Sequence, residues 1–381
     1  MHSSGEAYFL YHSIGQYDRK AADMATAMAE FAGIWGAGDD GQWGYALGRR
    51  QEFIDGWSRL IGAVEGTVTT TENVTASLYS LMGALPGNTL KGRKVLVAGD
   101  CFPSMHFLLA GLAPRLGFEL VTVPLRQGAT WAEDDDILAH WGADVGVALL
   151  TWVSSTSSHR SNLAALVAHG RAHGTVMGVD ITQAAGLLPF DVAAPEVDFA
   201  ISTSLKWMCG APGAGILYVK PALIAACQPE FRGWFSQPNP FSWDFDKFAY
   251  APDIRRFDNG TPGVVAAVAS LPAMTWLLAQ DQSALLAHNR LLSEQILAGA
   301  EEIGLALACP PEAALRGGSI MARLPAGIDP STVLVAFRAA EVFADARGQT
   351  LRLSPGVMTT QAGVARMLEV LGRVVHQERR R

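Results

Sequence analysis

The segment VMGVDITQAAGLLPFDVAAPEVDFAISTSLKW, residues 176–207, contains two short apolar runs, one with a carboxylate near its end and one followed by a lysine. The first run, residues 176–181, includes Asp180, and the second, residues 198–202, comes shortly before Lys206. Nearly continuous apolar runs of this length predict buried strands in a sheet that helices cover on both faces. Because open α/β sheets bind ligands at the carboxyl ends of their strands, we expect Asp180 and Lys206 to meet at one site.

Further apolar runs alternate with helical patterns on both sides of this segment. Strands are predicted at residues 94–99, 119–123, 144–153, 215–220, 319–324 and 350–353, and helices at residues 74–85, 104–115, 264–280, 285–303 and 360–375. This order predicts an α/β fold with a mainly parallel sheet, to which the run at 215–220 returns as a hairpin. Since 381 residues exceed the usual size of one core, we predict an N-terminal arm (1–15), a large domain (16–262) and a smaller C-terminal α/β domain (263–381).

Composition and charge argue against several classes of partner. The chain carries 29 Lys and Arg against 36 Asp and Glu, a net charge of -7, so nucleic acid is not an expected partner. The start, MHSSGE, lacks the features of a signal peptide, and no apolar run is long enough to span a membrane. The four cysteines, Cys101, Cys209, Cys227 and Cys309, show neither zinc-site spacing nor the density of a disulfide scaffold. We therefore expect a soluble cytoplasmic protein without a metal site.

Asp180 and Lys206 together suggest chemistry that neither suggests alone. An aspartate after a strand is commonly a helix cap, and a loop lysine is usually solvated. Enzymes that use pyridoxal 5'-phosphate (PLP) need both groups, an amine that forms an imine with the cofactor and a carboxylate that keeps the pyridine nitrogen protonated. Because Lys206 lies between an apolar strand and the glycine-rich turn at 209–213, poor solvation is expected to lower its pKa. PLP is therefore the predicted cofactor.

Motifs along most of the chain resemble those of a known family. Residues 8–15, YFLYHSIG, are similar to the segment YFxxNSLG, and residues 101–106, CFPSMH, resemble the motif FPSDH. The similarity ends near DAR at 345–347 and LRLSP at 351–355. On these motifs the chain resembles the class V aminotransferase group of fold-type I PLP enzymes, and most closely the kynureninases. The resemblance implies a seven-stranded sheet sandwiched by helices in the large domain, and a homodimer with the active site at the interface.

The same resemblance implies roles for individual residues. Lys206 corresponds to the Schiff-base lysine, Asp180 to the partner of the pyridine nitrogen, and Phe102 to the aromatic residue that stacks on the cofactor ring. A flat aromatic side chain there would exclude water and fix the plane of the ring, although a Phe beside a Pro is often simply core. The implied cofactor contacts are Thr71, Glu72, Phe102, Asp180, Gln183, Thr203, Lys206, Trp234 and Thr261.

The cofactor phosphate is expected at Thr71 and Glu72, directly before the predicted helix at 74–85. Exposed N–H groups and the dipole at a helix start favour an anion, although a Thr-rich helix cap without a ligand would have the same sequence. The resemblance places Trp234 and Thr261 at the phosphate as well, reaching across the dimer interface. Without it, they would be interpreted as a core tryptophan and a turn threonine.

Arg352 resembles the arginine that binds the α-carboxylate of an amino-acid substrate, a task suited to its bidentate fork, and Ser155 is a further expected substrate contact. Two departures concern the reaction: Met105 replaces the Asp of the FPSD motif, and Leu205 replaces the Tyr before the lysine. We therefore expect kynureninase-like cleavage at the β-carbon of an amino acid, by hydrolysis or C–S elimination. The alternative is a class V aminotransferase, decarboxylase or epimerase.

Two other enzyme classes are disfavoured by the sequence. Cysteine desulfurases need a catalytic cysteine on a mobile loop late in the chain, and no cysteine follows Cys309, which stands beside two prolines. A nicotinamide-dependent dehydrogenase is suggested only by the glycines at 210–215, whose spacing does not match GxGxxG and which precede a strand where that motif opens a helix.

Overall fold

Seven strands form the larger of two sheets in the computed structural model, which describes residues 5–380. The strands are β1 (Val68–Thr71), β2 (Lys94–Ala98), β3 (Glu119–Val123), β4 (Val145–Thr151), β5 (Val176–Asp180), β6 (Phe199–Thr203) and β7 (Gly215–Val219). Their spatial order is β1-β7-β6-β5-β4-β2-β3. Strands β2 to β6 pair in parallel, whereas β7 is antiparallel to both β6 and β1. The predicted seven-stranded, mainly parallel sheet and its hairpin return are confirmed.

Helices cover both faces of this sheet, which explains why its strands are apolar throughout. The helices of the chain are α1 (Lys20–Trp35), α2 (Gln42–Leu60), α3 (Val74–Met82), α4 (Gly87–Leu90), α5 (Pro103–Leu116), α6 (Asp134–Ala139), α7 (Leu163–Ala172), α8 (Pro221–Ala226), α9 (Val265–Leu278), α10 (Gln282–Ile303), α11 (Pro330–Ala339) and α12 (Gln361–Arg379). Alternate residues of β4 point to opposite cores: Ala148 packs in the core that contains α2, α7 and α9, and Leu149 in the core that contains α3, α5 and α8.

A smaller antiparallel sheet lies in the C-terminal part of the chain. It contains β8 (Ala306–Leu307), β9 (Ile320–Arg323), β10 (Asp345–Arg347) and β11 (Thr350–Leu353), in the order β10-β11-β9-β8. Its core is formed with α10, α11 and α12. Helix α9 contributes Ala267 and Leu277 to the core of the large sheet, and α10 contributes Leu292 to that of the small sheet. The domain boundaries stay a prediction.

The N-terminal arm runs along the small sheet. Tyr8 forms a parallel bridge with Phe343, and Leu10 forms one with Ser354. Phe9 is fully buried in the core of the small sheet. The described residues do not include residue 381 or residues 1–4, which belong to the predicted arm and to the segment MHSSGE. Within residues 5–380, no helix is both long and apolar enough to cross a membrane.

Candidate active site

The carboxyl edge of the large sheet brings several of the predicted residues together. Asp180 is the last residue of β5 and pairs with Ile201 of β6. Thr203 ends β6, and Thr71 ends β1; both are the register partners of Gly215, which begins β7 between them. The hairpin return of β7 therefore places the two threonines on either side of one glycine. This geometry agrees with the expectation that strand ends form the site.

Lys206 lies in the turn that follows β6, facing Phe102. Its Nζ is 5.5 Å from the centroid of the Phe102 ring, which stands at the start of α5. Burial lowers the pKa of Lys206 to about 8, an effect that the charge of Asp180 opposes and that of Arg352 reinforces. The amine is thus mostly protonated at neutral pH, but its neutral, nucleophilic fraction, about one tenth at pH 7, is far larger than that of a solvated lysine. Asp180 and Arg352 must both be close for their charges to act on it.

The buried residues after β5 complete this side of the site. Oδ1 of Asp180 accepts a hydrogen bond of 2.9 Å from the backbone N–H of Thr182. Gln183 is buried, and its Nε2 donates to the carbonyl of His12 at 3.1 Å. Because Thr182 fixes Oδ1, the other carboxylate oxygen of Asp180 can accept a hydrogen bond from a protonated ring nitrogen. Gln183 is therefore tied to the N-terminal arm, and its predicted role beside the cofactor stays a prediction.

A cradle at the start of α3 suits an anion. Asn73 caps the helix by accepting a hydrogen bond from the N–H of Ala76 at 2.9 Å. A Cβ on Gly215 would lie 2.9 Å from Oγ1 of Thr71 and 3.0 Å from the backbone N of Asn73, so glycine lets the end of β1 and the start of α3 approach β7 closely. Glu72 is exposed at the mouth. Backbone N–H groups at a helix start and a threonine hydroxyl are the donors that a phosphate needs.

Arg352 is held in the small sheet by a carboxylate that sequence analysis did not assign. Asp345 lies opposite Arg352 in the β10–β11 register, and its oxygens accept hydrogen bonds from Nε, at 2.8 Å, and from Nη2. Nη1 of Arg352 lies 3.5 Å from the carbonyl of Ser155, so the structure brings the two predicted substrate residues into contact. Burial would raise the pKa of Asp345, but its contacts with His12 and Arg352 keep that pKa well below its usual range.

The N-terminal arm links the small sheet to the turn of Lys206, a connection that the sequence did not reveal. The N–H of Gly15 donates to the carbonyl of Leu205 at 2.8 Å. A Cβ on Gly15 would lie 1.9 Å from the carbonyl oxygen of Lys206, so only glycine fits at this position. His12 is buried beside Ser354 and Asp345. The only signal for these contacts in the sequence is the motif at residues 8–15.

Two of the predicted phosphate contacts, Trp234 and Thr261, come from the segment between α8 and α9. Thr261 is exposed and lines a cavity of about 470 Å³ together with Thr71 and Glu72, whereas Lys206 does not line it. Trp234 begins a 3-10 turn and packs edge-to-face on neighbouring phenylalanines. Within the described residues, neither side chain is placed against the amine of Lys206.

The residues that depart from the resembled motifs have structural positions of their own. Met105 is buried in the core between the large sheet and α5, and the carbonyl of Leu205 anchors the arm. Cys309 is buried, its Sγ accepts from the N–H of Met321, and burial raises its pKa. Such a thiol is a poor nucleophile, in agreement with the expectation from the sequence.

A family model described as Aminotransferase class-V matches residues 55–366. The chain belongs to the class-V aminotransferase family. Enzymes of this family use PLP, so the lysine, carboxylate and anion cradle described above have a cofactor that suits them.

This member of the class-V aminotransferase family is similar to several kynureninases. It is 30% identical to a kynureninase from Deinococcus radiodurans over 310 residues, which cover 74% of this chain and 72% of that protein. It is 27% identical to a kynureninase from Pseudomonas fluorescens over 340 residues, 85% of this chain and 78% of that protein. Among solved structures, an apo cysteine desulfurase from Thermococcus onnurineus aligns with a TM-score of 0.86 over 97% of this chain and 94% of its own, at 18% identity. That likeness confirms the fold alone.

Proposed function

We propose that this protein is a PLP-dependent enzyme that cleaves an α-amino acid at its β-carbon in a kynureninase-like manner, by hydrolysis or C–S elimination. The observation that carries the proposal is that one N-terminal arm contacts both the turn of Lys206, through Gly15 and Leu205, and the carboxylate that holds Arg352, through His12 and Asp345. A carboxylate-binding group and a nucleophilic amine thus share one site. The similarity to kynureninases supports cleavage at the β-carbon.

Each residue of the site has a task that follows from its position. Lys206 would hold the cofactor and, with a pKa of about 8, could afterwards take or give a proton at the substrate Cα. Phe102 covers one side of the amine and excludes water from it. Arg352 would orient the substrate through its α-carboxylate. When bound, PLP supplies an electron sink for the bonds at Cα.

The cradle before α3 would hold the cofactor phosphate, and Asp180 would face the pyridine nitrogen. Thr71 and Asn73 pack closely on Gly215, and Thr203 is its register partner on the other side. Gln183 is expected beside the phenolic oxygen.

We further propose a homodimer in which Trp234 and Thr261 of one chain contact the cofactor phosphate of the other. The support is that Thr261 is exposed in a cavity that Lys206 does not line. The neighbouring residues 231–245 also expose large aromatic side chains, among them Trp243 at 72% and Phe245 at 99%. Exposed aromatic patches of this kind usually mark an interface. All four cysteines are free and buried, which suits the reducing cytoplasm that we propose as the location.

The test is to add PLP to the purified protein, record the visible absorption of the lysine-bound cofactor, and follow products from a panel of kynurenines and S-substituted cysteines. Lys206→Ala is expected to lose both the absorption band and the activity. Arg352→Ala is expected to keep the band and to need about 10- to 100-fold more substrate, since a charge-assisted pair is lost. Arg323→Ala, an exposed arginine on β9, is the matched control.

The products also separate the competing reactions. Release of a fragment from the β-carbon supports the proposal, whereas a keto acid or carbon dioxide as the only product would favour the aminotransferase or decarboxylase alternative. The position before the lysine bears on this choice, because Leu205 has no group that could carry a proton. A band and activity that persist in Lys206→Ala would contradict the whole assignment.

A further inference from the structure

The imidazole of His12 contacts the residues that hold Arg352. Its Nδ1 lies 2.7 Å from Oγ of Ser354. Its Nε2 lies 3.1 Å from Oδ1 of Asp345, off the line of an ideal hydrogen bond. Asp345 in turn accepts two hydrogen bonds from Arg352. Because His12 is only 2% exposed, its ring has no room to turn away from these neighbours.

The surroundings determine which nitrogen of His12 carries the proton. Burial lowers the pKa of His12, the charges of Arg352 and Lys206 lower it further, and Asp345 raises it, so that the net shift is downward. The ring is therefore neutral at neutral pH. Since an ionised carboxylate only accepts, the proton belongs on Nε2, towards Asp345, and Nδ1 accepts from the hydroxyl of Ser354.

Ser354 is itself fixed from the other side. Its Oγ lies 2.6 Å from Oγ of Ser319, so these hydroxyls and the imidazole form one buried chain of polar contacts. The chain ends at Asp345, whose side chain is 31% exposed. Without a contact from His12, that carboxylate could turn towards solvent and release Arg352.

We propose that His12 is a positioning residue, which holds Asp345 and thereby points Nη1 of Arg352 towards the α-carboxylate of the substrate. This inference rests on the proposed function. The geometry supplies the reason: Asp345 occupies Nε and one N–H of Nη2, so the end of the guanidinium that carries Nη1, 3.5 Å from the carbonyl oxygen of Ser155, is left to bind a ligand. His12 belongs to the same arm that is anchored at Leu205, so it also fixes the distance from Arg352 to Lys206.

The test compares His12→Leu, which removes both polar contacts, with His12→Gln, whose amide N–H can reach Asp345. The probes are L-alanine and ethylamine, which differ by the carboxylate and which are followed through changes in the visible absorption of the PLP-loaded enzyme. His12→Leu is expected to need about 10-fold more L-alanine for a half-maximal change, because Asp345 loses the polar contact that holds it against Arg352. The amount of ethylamine needed is expected to stay unchanged. His12→Gln is expected to behave like the wild type with both probes.

Tyr8→Phe is the matched control, because it removes a hydrogen bond of the arm, from the Tyr8 hydroxyl to the carbonyl of Ile14, without touching Asp345. It is expected to leave both probes unaffected. If His12→Leu does not fold, His12→Asn replaces it, since the shorter amide can contact Ser354 but not Asp345, and the same 10-fold rise for L-alanine is expected.

Three results would overturn the inference. One is normal binding of L-alanine by His12→Leu and His12→Asn, and another is an equal loss for L-alanine and ethylamine, which would indicate general damage to the site. The third is a His12 ring that is charged, or protonated on Nδ1. It would be detected by ¹⁵N NMR of the histidine rings in the protein prepared without PLP. A wild-type protein that never forms an absorbing complex with PLP would overturn the proposed function, and this inference with it.

Discussion

The amine of Lys206 is the group whose chemistry depends most on its burial. Its pKa is about 8, well below that of a solvated lysine, because the charged form is poorly solvated in the turn after β6. Only the neutral amine attacks PLP, and the neutral fraction rises as the pH rises through the pKa. The rate of cofactor uptake is therefore expected to increase with pH and to level off above about pH 8.

This pH dependence can be measured by mixing PLP with the cofactor-free protein and following the visible absorption from about pH 6 to pH 10. Asp180 raises the pKa of Lys206 through its charge, so Asp180→Asn should move the midpoint of the profile to lower pH. A midpoint near that of a solvated lysine would show that Lys206 is not buried as the structure indicates.

The sequence was sufficient to predict that Asp180 ends one strand and that Lys206 follows the next, because both strands are apolar runs whose strand character is local. It was not sufficient for His12. The contact of His12 with Ser354 joins residues that are 342 positions apart, and it exists only because the arm pairs with the small sheet. Asp345 was quoted only as part of a motif, since nothing local indicates that it faces Arg352.

Among the secondary-structure elements, the start of α3 lends itself to a direct test. Asn73 caps α3, and Asn162 caps α7 in the same way, each accepting from the N–H three residues later. Replacing either with alanine should lower the free energy of unfolding by about 1 kcal/mol, measured by urea denaturation. Only Asn73→Ala is also expected to raise the PLP concentration needed for half-maximal reconstitution, because only α3 begins at the proposed phosphate cradle.

Asn162→Ala is the control for the loss of a cap as such. If both variants are equally destabilised and both need the same PLP concentration as the wild type for half-maximal reconstitution, the phosphate does not bind at α3. If both variants need the same increased PLP concentration, PLP uptake follows the stability of the protein.

Element boundaries could be predicted well wherever the pattern was strong. The central strands and α5, α9, α10 and α12 lie within a few residues of their predicted ranges. Strand β1 was not predicted, because its sequence VTTT is short and polar and becomes a strand only through antiparallel pairing with β7. The same Thr-rich segment was interpreted as a phosphate loop; in the structure residues 68–71 form an edge strand, and the phosphate site stays a prediction.

For the whole molecule, the proposed dimer implies that a single chain does not contain a complete site. Thr261 lies in a turn that is tied to its own chain, since the neighbouring Asp258 pairs with the buried Arg50 at 2.8 Å and accepts from Thr69 at 2.6 Å. It is nevertheless exposed, and it lines the same cavity as the exposed Phe231. A second copy that covers this surface would bring its own Thr261 close to the site.

A mixed dimer distinguishes a contact within the chain from one across the interface. Thr261→Asp places a negative charge where a phosphate is expected, so a homodimer of this variant should bind PLP poorly, and a homodimer of Lys206→Ala should form no lysine-bound complex. If Thr261 acts across the interface, a dimer with one chain of each variant has one site in which both residues are intact. The mixed dimer is obtained by co-expression with two different affinity tags and purified through both. Its visible absorption should then show up to one lysine-bound cofactor per dimer. No recovery, in a mixed species confirmed to be dimeric by light scattering, would mean that Thr261 serves its own chain or has no role at the phosphate.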